Sequence, residues 1–517
     1  MQADAVEIDA SSPASSERWK ADLFALELDF FLVFGEENCA LDVTDAARYG
    51  AWYFLHGDVA RHATSAPGFW EIYRNEDVTG AALLQRTNDD AAGIVLKSGY
   101  LPTVQESFEQ NVEAVFAQLP KWPARVCRDI NAHAAGYFDD AAVPHPAAHY
   151  DVPNALQIRM LRLLERRNAL AKRLASTLYS TDWSIGRIEG TPNQFIGRDT
   201  QAQMTHLYPS VKGKFLADPC VFTRASRTYL LSEEYRYDTK RGTIVGSELL
   251  PTGATPPLSA IEEPRHLSYP HVFEHDGAVY CIPGSESDVR LYRSVELPHR
   301  WEYVRTLVTN FAATDSTLVR YEEKWWLFCT SGESGKRAYN SHLYIWHADE
   351  LFGPWTPHIL NPVKIDARSA RPAGAFFMDN NRLYRPAQDC SRGYGGSLRI
   401  NRIDKLSERE FHETVVGIVR PPAKYYTKGI HTISSAGAWC VVDAKRYVFE
   451  PAGVVDLLKL AARSIALRLG VRTQRIESVK RQFAGRRGPV ASDFRRRDNE
   501  ESAASPPTTP GSSTVRG

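Results

Sequence analysis

The sequence has no excess of charge of either sign: 62 Lys and Arg stand against 62 Asp and Glu in 517 residues. A neutral chain exerts no broad electrostatic pull on nucleic acid, so no nucleic-acid partner is expected. Long apolar runs are missing too. None approaches the roughly 18 residues of a membrane span, and the opening MQADAVEIDASSPASSERWK has neither the basic nor the apolar region of a secretory leader. The expected compartment is therefore the cytoplasm. Cysteine is scarce and scattered: Cys39, Cys127, Cys220, Cys281, Cys329, Cys390 and Cys440 form no C-x-x-C pair. That spacing argues against zinc and disulfide frameworks and predicts buried free thiols and no metal. What is present, 43% hydrophobic residues, suffices for two or three cored domains.

From residue 215 onward one phrase recurs: a polar anchor, an apolar strand, a short turn, then an aromatic-rich strand. It reads ADPCVFTRASRTYLLSEEY, SYPHVFEHDGAVYCIPGS, TDSTLVRYEEKWWLFCTS, ARPAGAFFMDNNRLYRPAQDC and GIHTISSAGAWCVVDAKR. The anchors Asp218, Tyr269, Asp315, Arg371 and His431 lie roughly fifty residues apart, a period that marks propellers and solenoids. His275-Asp276-Gly277, Asp379-Asn380-Asn381 and Ala436-Gly437 supply turn chemistry for hairpins. Intervening strands such as RLYRS, SHLYIWHA and GSLRINRI complete four-stranded blades. The prediction is mainly β: a five-bladed propeller over 181–450, with WSIGRIEG at 183–190 as the outer strand that closes the ring onto the last blade. In such a ring the first strand of each blade lines the channel, so the five anchors converge at one end. Pro219 and Pro270 suit that position, because proline has no N–H for a ladder.

Those phrases, with the further matches GPW, NPV, RPAQDC and YGGSL, resemble the five-bladed propeller of plant glucosamine inositolphosphorylceramide transferases over about residues 181–445. That propeller is similar in turn to the arabinanase and fructosidase clan of glycosidases. The resemblance implies a catalytic carboxylate at Asp218 and a second at Asp315. Glycoside hydrolysis also needs a protonated carboxyl. Where the resembling proteins read IPES, this chain reads IPGS, with Gly284 at the Glu position and Glu286 displaced, which leaves Glu233 and Glu234 as candidates, Glu234 being the one assigned. Arg371, Arg385, Gln388, Asp389 and His431 mix donors and acceptors suited to an acidic or phosphorylated glycan, with Tyr269, Trp325 and Trp326 as faces for a sugar ring. At least one tryptophan of that adjacent pair must instead pack between blades, since neighbours on a strand face opposite ways. The plant proteins carry glycosyl transfer in a separate domain that this sequence lacks, so transfer is not expected.

Upstream, DVTDAARYGAWYFLHGD, APGFWEIYRNEDVTGAALLQRTNDDAAGIVLKSGYLP and SFEQNVE resemble the later half of the formyltransferase domain, over about residues 28–116. The resemblance implies an Asn-x-His pair and a downstream Asp. Here His56 is retained, Phe54 stands at the Asn position, and Ala91 stands at the Asp position with Asp90 one residue early. A truncated α/β unit over 21–116, inactive in formyl transfer, is the expectation. Formyl-tetrahydrofolate would be a cofactor only if that unit were active, and an amino-sugar formyltransferase is the second alternative function.

Residues 117–152 read as a proline-rich linker. ALQIRMLRLLERRNALAKRLASTLY reads as an amphipathic helix joining the two units and covering a propeller face. A second amphipathic helix, GVVDLLKLAARSIALRLGV, carries Lys459, Arg463 and Arg468 within a basic segment over 451–484, and its polar side suits anionic lipid or plain solvent. Residues 1–20 and 485–517 have the composition of disordered ends. The sequence thus points to a bacterial-type cytoplasmic protein, with peripheral membrane contact through the C-terminal helix as one expectation. Its propeller binds a glycan or glycolipid in glycan biosynthesis or modification, with glycoside hydrolysis through Asp218 and Asp315 as the alternative.

Overall fold

The computed structural model describes residues 24–34, 47–87, 92–146, 148–285 and 287–468. From residue 179 onward the strands form five blades around a channel. Blade one comprises Lys214–Arg224, Arg227–Arg236 and Arg241–Leu250, with Leu258–Ile261 at its edge. Blade two comprises Ser268–His275, Ala278–Gly284 and Ser287–Glu296. The long strand Arg300–Tyr321 serves two blades: its first half pairs with Ser287–Glu296 and its second half opens blade three against Lys324–Ser331. Blade three continues with His342–Ala348, and blade four runs Phe377–Asp379, Arg382–Asp389, Ser397–Leu406, Phe411–Arg420. Blade five is Ile433–Ala436, then Trp439–Phe449, then Tyr179–Ile188.

That last pairing closes the ring, because Tyr179–Ile188 precedes every other blade strand in the chain. It is the third strand of its blade rather than the predicted outermost one, since Thr205–His206 pairs outside it. Each gap between blades holds its own apolar core. Leu231 and Ile244 meet Val272 and Cys281 between blades one and two, and Phe328 and Ile345 meet Leu383 between three and four. Ile185 and Val441 meet Val221 and Leu230 across the closure. Blade strands are buried on both faces, which is why their sequences show little polar alternation. Tight turns with two positive φ values join the first two strands of four blades, at Ala225-Ser226, Asp276-Gly277, Glu322-Glu323 and Asn380-Asn381.

The N-terminal unit is an α/β layer. Ala51–Asp58, Val78–Arg86 and Ala92–Pro102 form an antiparallel sheet whose Trp52, Leu83 and Leu96 pack on Trp122 and Val126 of the helix Lys121–Asn131. The predicted linker is therefore part of this unit. Residues 121–131 are a core helix, Val143–Pro144 pairs with the sheet edge, and Ala148–Tyr150 pairs with His62–Thr64. The prolines misled because Pro120 and Pro123 sit at the start of a helix, where no N–H is needed. The joining helix Ala155–Leu178, begun by an Asn154–Gln157 capping box, covers this unit and not the predicted propeller face. Leu161 packs with Phe69, Trp70 and Ile72, and Glu165 accepts from Phe108 N–H. The two units are tied by Arg368 to Asp58 at 2.9 Å and by Arg125 to the carbonyls of Leu360 and Pro362. Six cysteines among the described residues are free thiols.

Candidate functional site

Asp218, Tyr269 and Asp315 occupy one equivalent position in blades one, two and three. Each has positive φ (52°, 41° and 54°), and each sits in a register break of the first strand: Ala217/Cys220, Ser268/His271 and Thr314/Thr317. A side chain other than glycine in this region costs about 1–2 kcal/mol, a strain that functional sites often retain. The bulge turns each anchor into the channel and leaves the next residue without a ladder partner. Pro219 and Pro270 fill that place, which explains the strand-breaking Asp-Pro.

Blade five completes the cluster. His431 Nε2 lies 3.1 Å from Asp218 Oδ1, and Nδ1 lies 2.7 Å from Asp443 Oδ1, the latter off the line of a straight hydrogen bond. Asp443 also accepts the backbone N–H groups of Asp218, His431 and Thr432 at 2.8, 3.1 and 3.0 Å. Asp218 in turn accepts from the Thr432 hydroxyl and from Tyr269 N–H. Burial alone would lower the imidazole, but the two carboxylates outweigh it and push His431 up to about 10. For Asp218 the same balance runs in the opposite direction. Burial raises it, yet His431, Thr432 and Tyr269 together hold it below the usual carboxylate range.

Asp218, His431 and Asp443 offer ligand atoms within 4.8 Å of one another. Each imidazole nitrogen faces a different carboxylate, so the ring is held as a bridge between two acids.

Asp315 lies deeper. Arg371 Nε donates to its Oδ2 at 2.6 Å and Gln388 Nε2 to the same oxygen at 2.9 Å, while Arg371 Nη1 reaches Asn340. Burial pushes the Asp315 carboxyl up and the Arg371 fork pulls against it. Tyr269 is buried beside Thr317, its hydroxyl accepting from Gly374 N–H. Beside Asp218, on the neighbouring strand, Glu233 is pushed well above the usual range, first by burial and then by the Asp218 charge. Two neighbouring carboxyls are thus shifted in opposite directions, Asp218 down and Glu233 up.

The sequence-assigned Glu234 points the other way and pairs with Lys214 at 2.7 Å. Glu233 is the residue that lines the cavity, because alternation puts it on the face shared with Tyr235. Arg385 is likewise not at the mouth. It is buried within blade four, forked onto Glu413 at 2.6 and 2.9 Å and donating to the carbonyls of Ser369 and Ala370. Trp325 and Trp326 both pack in blade cores, against Phe273 and His347. Asp389 is at the wall, held by Arg399 and Ser391. Glu286 lies outside the described residues. Asp443, Trp183 and Lys445 are site residues that the sequence reading passed over. A charge inside the apolar run CVVDAKR was the available signal.

Above this floor opens a cavity of about 970 Å³, at the upper end of what small-ligand sites occupy. Trp183, Tyr235 and Tyr394 supply aromatic surface, and Arg399, Arg420 and Lys428 supply positive charge. Lys445, over the Trp183 ring at 5.2 Å and donating to the Tyr394 carbonyl, is pushed down to about 8 by burial.

Five closed blades around a channel, with strained anchors gathered at its mouth, define the protein as a five-bladed β-propeller carrying a polar cavity. Residues 200–431 match the family described as "Glucosamine inositolphosphorylceramide transferase 1, N-terminal". The chain is 32% identical over 255 residues to Glucosamine inositolphosphorylceramide transferase 1 of Oryza sativa subsp. japonica, covering 46% of this chain and 34% of that protein. It is 35% identical over 208 residues to the protein of the same name from Arabidopsis thaliana, covering 39% and 27%. The chain thus matches about a third or less of the length of these relatives. Among solved structures, Zg3597, a family 117 glycoside hydrolase of Zobellia galactanivorans, aligns at 12% identity and TM-score 0.35, covering 52% of this chain and 90% of that one. The catalytic domain of the Coprinopsis cinerea GH62 alpha-L-arabinofuranosidase aligns at 13% identity and 0.35, covering 52% and 98%.

Proposed function

We propose that the channel mouth binds an acidic glycan or glycolipid headgroup, in a protein that serves glycan or glycolipid biosynthesis or modification. The observation that carries this reading is the division of the cavity. The floor carboxylates Asp218 and Asp315 already accept from protein donors, whereas the wall presents aromatic faces and Lys428, with Arg399 and Arg420 beside it forked onto Asp389 and Asp199. Sugar rings stack on aromatic faces, and acidic groups pair with arginine and lysine. Its similarity to proteins named as glucosamine inositolphosphorylceramide transferases supports a sugar or glycolipid ligand. A glycan array probed with the wild type and a Lys428→Glu variant tests it. Acidic ligands retained by the wild type, weakened in the variant and unchanged in mass are expected; binding that ignores ligand charge would overturn it.

Hydrolysis is the second reading, favoured by the opposed shifts of the Asp218 and Glu233 carboxyls. These two carboxyls share one wall, however, while a cleaving pair flanks the bond at roughly 5–9.5 Å. A product of reduced mass, absent in Glu233→Gln, would decide for hydrolysis.

We assign the N-terminal unit the role of a buttress for the propeller and not formyl transfer. His56 is half-buried against Phe116 with its Nδ1 enclosed and unpartnered, and the Phe54 position has no amide. Asp90 and Ala91 lie outside the described residues. Binding of formyl-tetrahydrofolate would overturn this assignment.

A further inference from the structure

The helix Ala155–Leu178 has two unlike faces. Leu161, Glu165, Asn168 and Lys172 lie along one side, and all four engage the N-terminal unit: Leu161 through its apolar cluster, Glu165 with Phe108 N–H, Asn168 with the Gln105 carbonyl, and Lys172 with Glu106. At 3.6 residues per turn, Leu156, Met160, Leu163, Leu170 and Leu174 fall on the opposite side. Leu156 is 73% exposed, and Leu163 and Leu170 are each 58% exposed. Arg159, Arg162, Arg166 and Arg173 flank this stripe on one side, Arg167 lies within it, and the helix's one acidic residue, Glu165, is on the docked face.

A second helix adjoins it. Pro451–Arg468 starts against the end of the first, so close that a Cβ at Gly453 would strike the Thr177 carbonyl. It also leaves apolar side chains in the open, with Val455 at 49% and Leu458 at 66% exposure. Exposed aromatics mark the junction: Tyr179 and Phe449 form an edge-on pair at 5.9 Å, and Tyr447 stands beside them. Tyr447 also lines the cavity, so the junction of the two helices and the mouth are neighbours.

We infer that the two helices form a docking platform for an anionic bilayer surface, seating the protein beside the membrane with the cavity mouth at the lipid headgroups. The charge pattern selects the occupant. An apolar stripe flanked by arginines suits the boundary between acyl chains and anionic headgroups, and Tyr and Phe favour the same interface. A second copy laid on the same face would set arginines against arginines. No helix among the described residues is long and apolar enough to cross a membrane, so the contact lies in the interface plane. It stands independently of what the cavity binds.

The test is flotation of the full chain with vesicles of phosphatidylcholine alone or mixed with phosphatidylserine, neither containing glycolipid. Recovery with the phosphatidylserine vesicles only, falling with added salt, is the expected result. The Leu163→Glu/Leu170→Glu variant should lose at least tenfold in vesicle affinity while keeping the wild-type thermal midpoint and glycan-array profile. Unchanged flotation in that variant, or equal recovery with both vesicles, would overturn the proposal. So would a wild-type dimer in sedimentation velocity that the variant dissociates, since the stripe would then belong to a second copy.

Discussion

One histidine in each unit, the half-buried His56 and the buried His431, is driven in a different direction by its surroundings. His56 has an aromatic ring for a neighbour and no charged partner to offset burial, and it is lowered. His431 has a carboxylate at each nitrogen and is pushed up to about 10. The same residue type thus has two chemistries, and the charges delivered to it from other strands decide which: His431 receives two carboxylates and His56 none.

The strongest test of this contrast is Asp443→Ala. It strips an acceptor from three backbone N–H groups and a partner from His431, leaving an uncompensated buried network. A loss of about 3–5 kcal/mol in denaturant stability is expected, against a near-neutral result if the cluster is decorative. The pH profile sharpens the comparison next. The native His431 binds its proton up to about pH 10, whereas an unfolded histidine releases it near 6.5. Between those values the native state holds more protons than the unfolded one, so the stabilisation is complete below about pH 6.5 and is lost as pH rises toward 10. Urea midpoints of the wild type and His431→Gln should therefore converge at alkaline pH. His56→Leu should show no such pH-dependent difference there.

Smaller effects follow. Arg371→Lys keeps the charge but loses the fork onto Asp315 and the reach to Asn340, with an expected cost of about 1–3 kcal/mol in thermal unfolding. Burial and the Asp218 charge push the Glu233 carboxyl upward, so Glu233→Gln should change stability at neutral pH by less than about 1 kcal/mol. A large change would mean that Glu233 carries charge. The smallest shift belongs to His56→Leu, which removes an unpartnered buried nitrogen and should stay within about 1 kcal/mol of the wild type.

The ring was legible because it repeats. The five anchor phrases and the turns at Asp276-Gly277 and Asn380-Asn381 carry residues suited to their backbone. Ala225-Ser226 and Glu322-Glu323 make the same turn with no favoured residue, so sequence gave no sign of them. Glu233 could not be told from Glu234 for a related reason. With both faces of a blade buried, neither parity looks like the outside, and the bulge at Asp218 breaks the count from one strand to the next. Arg385 read as a site residue because its partner Glu413 lies on a strand 28 residues away. The contacts between the two units, such as Arg368 with Asp58, leave no local trace in the chain.

The closure of the ring sets an order of events during synthesis. Tyr179–Ile188 waits for Trp439–Phe449, and Ser180 finally meets Glu450 across 270 residues of chain. Until that last blade strand has left the ribosome, Asp218 has neither His431 nor Asp443 beside it, so a nascent chain can complete four blades and still present no finished site. Joining two such distant segments is also the slow part of folding a sheet of this kind. A chain stopped short of residue 449 would therefore lack the lock and the cavity together, which makes ligand binding a direct report that the ring has shut.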